Sequence, residues 1–340
     1  MNIYIKSFNR PYYLERCIKS ILLNITDKDL KIIVLDDGTD EKYLNVIQEK
    51  YPSIVIKYSP FYDEKVDKIK KFIASGTKIE NMVVPFSFWL SAIYEYDDDF
   101  FIVLEDDIWF TEKINLEEVL TILKKENLCL VNLFHQDNPR LISGDLRKLT
   151  NNFYEISPKI LITNPFLFEQ IILKNRFYIS SILRIMKLYN PKNLINYYML
   201  FNVAGAIFSK KYYSDIWKGY SGYVDEYVQL VKAVKFYQTN KGKMKYGIFK
   251  EDILRTSFTS SATNMFEGIN LNAFTYNHLL NEAWLKGELD AMSGYPKDIL
   301  ESDVEKVLEK NQHPLASVEE WRKWVNRFKE QYRNVGHAID

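Results

Sequence analysis

Cysteine is scarce in this 340-residue chain: only Cys17 and Cys129 occur, without a C-x-x-C spacing. That excludes a disulfide scaffold and a thiolate metal site, and it reads the two thiols as small buried hydrophobes of a reducing compartment. Net charge is missing as well, since 45 basic and 45 acidic residues cancel. With no dominant basic block, general binding along nucleic-acid phosphates is excluded. No run approaches the ~18 uninterrupted apolar residues of a spanning helix. The start, Met1-Asn2-Ile3-Tyr4-Ile5, is strand-like and lacks the basic, apolar and small-residue order of a secretory signal. A cytoplasmic protein is therefore expected. His135, His278, His313 and His337 show no paired metal-ligand spacing, with His278 the one best placed for a role.

What the chain does have is apolar and aromatic residues, at 47% and 15%, enough for a large core. Up to about residue 135, short apolar runs alternate with amphipathic segments: Ile3 to Lys6 then Tyr12 to Leu23, Lys31 to Leu35 then Glu41 to Gln48, Ile54 to Tyr58 then a charged helical stretch. That rhythm is βαβ. Phe100 to Leu104 reads as a strand apolar on both faces, which belongs inside a sheet covered by helices on both sides. Such sheets carry function at the carboxyl ends of their strands. The polar clusters stand there: Ser7-Phe8-Asn9-Arg10, Asp36-Asp37-Gly38-Thr39 and Glu105-Asp106-Asp107. Beyond about 270 amphipathic helices are expected, one starting at Ser317-Val318-Glu319-Glu320.

Three adjacent carboxylates at 105–107 repel unless a cation or hydrogen-bond donors offset them, and a hard divalent ion shared with a diphosphate is the usual answer. Asp36-Asp37-Gly38 is a turn signal that also offers an acceptor for the imide N–H of a uracil. An aspartyl-phosphatase reading of the same stretch fails, because its nucleophile would fall on Leu35. The first strand ends without a glycine-rich phosphate loop, which weakens a nucleotidyltransferase reading, and offers Arg10 as a diphosphate partner instead.

As an ordered set, Ser7 to Pro11, Ile32 to Gly38 and Phe101 to Asp107 resemble the nucleotide-sugar half of GT-A glycosyltransferases, both family 2 and the family of N-acetylglucosaminyltransferase I. The resemblance implies a Rossmann-like α/β fold with a mostly parallel central sheet flanked by helices and a helical C-terminal appendage. It implies division into a donor half (1–135), an acceptor and catalytic half (136–285) and a helical extension (286–340). Ser7, Asn9, Arg10, Asp36, Asp37, Glu105 and Asp106 would bind the donor, and Asp107 would hold Mn²⁺ or Mg²⁺. Further along, Asn202 to Phe208 followed by Tyr223-Val224-Asp225-Glu226 is similar to the family's acceptor half, where an acidic pair contains the general base; Glu226 or Asp225 would take that role. Ile253 to Met265, with Arg255 and Ser257, resembles a loop that orders over the donor. Its Ser, Thr and Asn residues with few apolar anchors suit a segment that is mobile until a ligand supplies contacts.

The resemblance implies a metal-dependent, inverting transfer from a UDP-sugar, with UDP-N-acetylglucosamine suggested by the Glu-Asp-Asp strand, to a hydroxyl of a glycan or lipid-linked acceptor. The alternative is a catalytically silent carbohydrate- or nucleotide-binding module on the same fold. Residues 159–200 mix apolar residues with Lys174, Arg176, Arg184, Lys187 and Lys192, a pattern that allows peripheral contact with the inner face of a membrane. Trp217, Tyr220 and Tyr223 offer aromatic faces for a sugar.

Overall fold

The computed structural model describes every residue except 28, 80, 81, 203, 204, 221–224, 241, 242 and 340. In chain order the elements begin β1 (Asn2–Ser7), α1 (Pro11–Asn24), β2 (Lys31–Asp36), α2 (Glu41–Lys50), β3 (Val55–Tyr58), α3 (Tyr62–Ser75), α4 (Phe86–Tyr94), β4 (Phe100–Glu105) and β5 (Ile108–Phe110). They continue with α5 (Leu116–Glu126), β6 (Leu128–Asn132), β7 (Gly144–Lys148), β8 (Phe153–Pro158), α6 (Pro165–Leu167), α7 (Ile179–Ile185), β9 (Ala206–Ser209), α8 (Lys210–Trp217) and α9 (Glu226–Asn240). The last are β10 (Lys245–Phe249), β11 (Leu254–Thr256), α10 (Ala273–Leu285), α11 (Glu301–Asn311) and α12 (Val318–Val335). A π-helical turn (Phe168–Leu173) and two 3₁₀ segments (Arg176–Tyr178 and Pro191–Met199) complete the helical segment between β8 and β9.

Local sequence explains the boundaries. Pro11 opens α1, where its missing N–H costs nothing. Asp40 caps α2 through the Lys42 N–H, and the Ser317 hydroxyl accepts from the Glu320 N–H at the start of α12. Asn127, in the left-handed conformation, ends α5.

Two compact units form, each discontinuous in sequence: residues 1–97, 103–114 and 254–331, and residues 98–102, 115–253 and 332–340. The first carries strands β3-β2-β1 and the end of β4 from Val103, in that order, with β1·β2 and β2·β3 parallel and β1·β2 in register from Asn2↔Lys31 to Ser7↔Asp36. Strands β1 and β2 are buried on both faces, as parallel strands between helical layers must be. This is the Rossmann-like α/β arrangement expected from the sequence. The small antiparallel pair β5·β11 and the helices α10 and α11 belong to this unit too.

In the second unit the order is β9-β6-β10-β8-β7. Only β6·β10 is parallel there, while β6·β9, β10·β8 and β7·β8 are antiparallel. Parallel pairing is thus concentrated in the first unit. Cys17 and Cys129 are both free and buried, one in each unit, as expected of small core residues. Among the described residues, no helix is long and apolar enough to cross a membrane.

Candidate functional site

The first unit holds a cavity of about 350 Å³ at the carboxyl ends of β1, β2 and β4. Its wall includes Ser7, Arg10, Asp37, Glu105 and Asp106, five of the residues singled out in the sequence. The volume lies within the range of small-ligand sites, roughly 300–1,000 Å³. Lys6, Lys65 and Trp89 line it as well.

The carboxylates after β4 meet cations from the first strand. Glu105 pairs with Lys6 at 3.0 Å. The buried Arg10 guanidinium donates to Asp106 at 2.5 Å and to Asp107 at 2.8 Å. Asp106 also accepts the Phe8 N–H at 2.9 Å, and Asp106 N–H donates to Lys6 carbonyl at 3.0 Å, lacing the two strand ends together. Burial alone would lower the Arg10 guanidinium, but the charges of Asp106 and Asp107 outweigh it and hold its pKa above the ordinary value. Burial raises the Asp106 and Asp107 carboxyls, with Arg10 opposing the rise in both. Arg10, expected to meet a diphosphate, therefore has both terminal nitrogens engaged on Asp106 and Asp107.

A divalent ion is compatible with this cluster. Three carboxylates face two cations, Lys6 and Arg10, so one negative charge is left over. Asp106 is buried and held by two donors, but Asp107 and Glu105 keep exposed side-chain area, 15% and 41%. Oxygen donors of that number suit Mg²⁺ or Mn²⁺, which takes one or two carboxylates and completes its shell with phosphate oxygens and water.

The second acidic pair divides its labour. Asp36 is fully buried and accepts the N–H groups of Gly38 and Thr39 at 3.0 and 2.8 Å, so it shapes the turn and does not line the cavity. Burial pushes its carboxyl up to about 6, with the two N–H donors opposing. Gly38 has φ +145°, and a Cβ there would stand 2.9 Å from both the Phe8 ring and the Lys65 Cβ, so only glycine fits. Asp37 does face the cavity. One oxygen takes the Ser59 hydroxyl at 2.5 Å and the other pairs with Lys65, whose ammonium also donates to the Val83 carbonyl at 2.6 Å. Burial raises the Asp37 carboxyl, and Lys65 and Ser59 pull it back. Asn9, left-handed at φ 54°, is buried with its N–H on the Thr39 hydroxyl at 2.8 Å; it does not line this cavity but borders a second one.

The segment read as a mobile lid is corrected by the structure. Ser257, Thr259 and Ser260 are buried, and their hydroxyls join a network with Tyr12, Tyr13, Asn277 and Asp298. The indoles of Trp321 and Trp324 donate to the carbonyls of Thr259 and Asn264 at 3.0 and 3.1 Å. The polar residues find buried partners on α1, α10 and α12, so the loop is anchored without a ligand. Ala262 and Thr263, at its tip, line the cavity. Ser257 and Arg255 do not: the first belongs to the buried network, and the second is exposed on β11 opposite Trp109.

In the second unit, Asp225 caps α9, its carboxylate accepting the Val228 N–H at 2.8 Å. Glu226 is exposed and accepts the Tyr198 hydroxyl at 3.0 Å. Burial, and then Glu226, raises the Tyr198 hydroxyl well above its ordinary range. Trp217 is buried among Phe201, Tyr213 and Tyr220, which takes it out of reach of a sugar. Val203, Ala204, Tyr223 and Val224 of the acceptor-half pattern lie outside the described residues. A separate cluster joins His135, Asp137 and Asp252, with ligand atoms within 4.8 Å of one another, after the carboxyl ends of β6 and β10. His135 and Asp137 are two residues apart, but Asp252 is too far from them in sequence for ligand spacing to reveal the cluster. His278 borders a second cavity in the first unit, beside Lys42 and Lys70, and burial lowers its pKa.

Residues 2–69 match the sequence model described as Glycosyl transferase family 2. No curated protein matches the chain. Among solved structures the chain is similar to TarS of S. aureus, at 10% identity and a TM-score of 0.41, over 91% of this chain and 42% of that one. It is also similar to S. aureus TarS 1–349, at 10% identity and 0.42, over 98% and 73%. For a galactosyltransferase, LgtC, in complex with donor and acceptor sugar analogs, the values are 15% and 0.34, over 72% and 73%. The chain thus spans less than half the length of the longer TarS chain.

Proposed function

We propose that this chain, a glycosyltransferase whose residues 2–69 carry the family 2 sequence pattern, moves a sugar from UDP bound in the cavity of the first unit to a hydroxyl acceptor, with inversion at the anomeric carbon. The observation that carries this reading is the cavity of about 350 Å³ lined by Asp37 and by the Glu105-Asp106 pair. Asp37, held by Lys65 and Ser59, is the acceptor for the uracil imide N–H. Lys6 and Lys65, both on the wall, supply positive charge toward a diphosphate. Asp107, with Glu105 beside it, would hold Mn²⁺ or Mg²⁺, which when bound neutralises charge on the diphosphate leaving group.

In the second unit Glu226 is the general base. Asp225 uses its carboxylate as a helix cap, whereas Glu226 is exposed and oriented by Tyr198. The acceptor hydroxyl gives its proton to Glu226 while its oxygen forms the bond to the anomeric carbon. The bond from that carbon to the β-phosphate oxygen breaks, its electron pair leaving with UDP. N-acetylglucosamine as the donor sugar rests on the Glu-Asp-Asp resemblance alone. The acceptor is a glycan or a lipid-linked sugar, and the apolar and basic segment 159–200 favours the lipid-linked form at the inner face of a membrane.

Calorimetry of UDP with and without Mn²⁺, on wild type and Asp107→Ala, tests the donor site: binding should require both the metal and Asp107. Glu226→Gln should then lower turnover about 10²–10⁴-fold with UDP affinity unchanged. Absence of UDP binding both with and without Mn²⁺ removes the donor assignment. A chain that binds UDP-sugars without transferring the sugar to any acceptor or to water is a binding module instead.

A further inference from the structure

The second unit carries a surface that the transfer reaction does not explain. Phe177, Tyr178, Ile182, Ile185, Met186 and Leu188 are between 51% and 77% exposed. Three of them, Ile182, Ile185 and Met186, follow one another at intervals of three and one residues, so they form a single stripe along α7 and its C-terminal end. The opposite side of the segment is packed: α7 lies on the π-helical turn, which lies on α9, and Phe168, Ile172, Tyr189 and Tyr197 are buried in that small core. The exposed residues are therefore left over after the local core is complete. Phe166 and Leu167 on α6, which also packs on the π-helical turn, extend the apolar surface.

Charge decides what covers it. Residues 159–200 contain six basic residues and one acidic residue, Glu169, in a chain whose total charge is zero. Arg184 and Lys187 are exposed and interleaved in sequence with the stripe residues, and Lys174, Arg176 and Lys192 flank the segment. Interfaces between protein copies are depleted in lysine, whereas basic residues interleaved with exposed Phe, Tyr, Ile and Leu are what an element lying in a bilayer interface uses. We infer that residues 166–188 form a docking surface for an anionic lipid bilayer, with the α7 stripe inserted among the lipid chains and Arg184 and Lys187 on the headgroups.

This inference rests on and sharpens the membrane-face reading of segment 159–200, and it is tested by lipid binding alone, so its failure is separable from failure of the sugar-transfer reading. Full-length protein is sedimented with vesicles of phosphatidylcholine and with vesicles of phosphatidylcholine mixed with phosphatidylglycerol. Binding is expected to the anionic vesicles and to fall with added salt. Arg184→Gln together with Lys187→Gln should lower the partition coefficient about 25-fold, about fivefold per charge. Phe177→Asp together with Ile185→Asp should lower it at least about tenfold, as buried apolar area is lost. All four positions are exposed, and an unchanged thermal midpoint verifies that each variant is folded. Equal binding to neutral vesicles, or binding that neither variant weakens, overturns the inference. So does an absence of vesicle binding by a chain that self-associates in light scattering and becomes monomeric in Phe177→Asp/Ile185→Asp, since the surface would then belong to a second copy.

Discussion

Replacing Arg10 by methionine tests how the donor cavity is held together. Methionine fills much of the arginine stem, so the loss is mainly of charge and hydrogen bonds: 2.5 Å to Asp106, 2.8 Å to Asp107, and a cation 6.0 Å from the Tyr13 ring. Asp106 is buried and would keep one N–H donor, that of Phe8, against a neighbouring carboxylate. Removing one partner of a buried ion pair costs about 3–5 kcal/mol, a large share of a domain stability of about 5–15 kcal/mol. Urea unfolding, with peptide-resolved hydrogen exchange over residues 2–10 and 100–110, measures it. The loss should shrink at acid pH. Without Arg10 the Asp106 carboxyl rises further, and its protonation in the folded state removes the uncompensated charge. Arg10→Met combined with Asp106→Asn and Asp107→Asn should recover most of the loss. If Arg10→Met costs under about 1 kcal/mol, or the added asparagines recover nothing, Arg10 is not the clamp described here.

Asp36 has a folded pKa of about 6, raised by burial above an ordinary carboxylate. The protonated form is favoured in the folded state, so its contribution to stability is fully present below about pH 4 and lost as pH rises to about 6. Relative to Asp36→Asn, wild type should lose stability across that window, measurable as diverging urea midpoints; parallel midpoints would refute the assignment. Trp321→Phe keeps the ring but deletes the indole donor to Thr259. It should weaken UDP binding severalfold by loosening Ala262 and Thr263, and an unchanged affinity would show that the loop does not shape the cavity.

Much of the first unit is legible in the sequence because its strands are apolar on both faces and end in charged clusters. The Glu105-Asp106-Asp107 and Asp36-Asp37 groups stand where those strands imply. The division of labour within each group is not legible: Asp36 and Asp37 are adjacent, yet one faces its own turn and the other the cavity, which depends on the φ of Gly38 and the approach of Phe8. Lys65 is invisible as a site residue, since it shares α3 with Lys68, Lys70 and Lys71 and only its burial against Asp37 separates it from them. The polar loop after β11 looks unanchored because its partners, Tyr12, Tyr13, Asp298 and Trp321, lie at both far ends of the chain. Segment 159–200 shows its basic and apolar mixture directly, but not which of its apolar residues stay outside the core.

That anchored loop sets the order in which the protein becomes competent during synthesis. Strands β1 and β2 emerge from the ribosome long before residues 257–265 and can pair at once, yet the cavity wall at Ala262 and Thr263 is fixed by contacts spanning some 250 residues from Tyr12 and by an indole on α12. Such long-range contacts form late. A nascent chain therefore carries its acidic clusters with a wall still missing, and a ribosome-stalled chain ending before α12 should fold its first strands without closing the site.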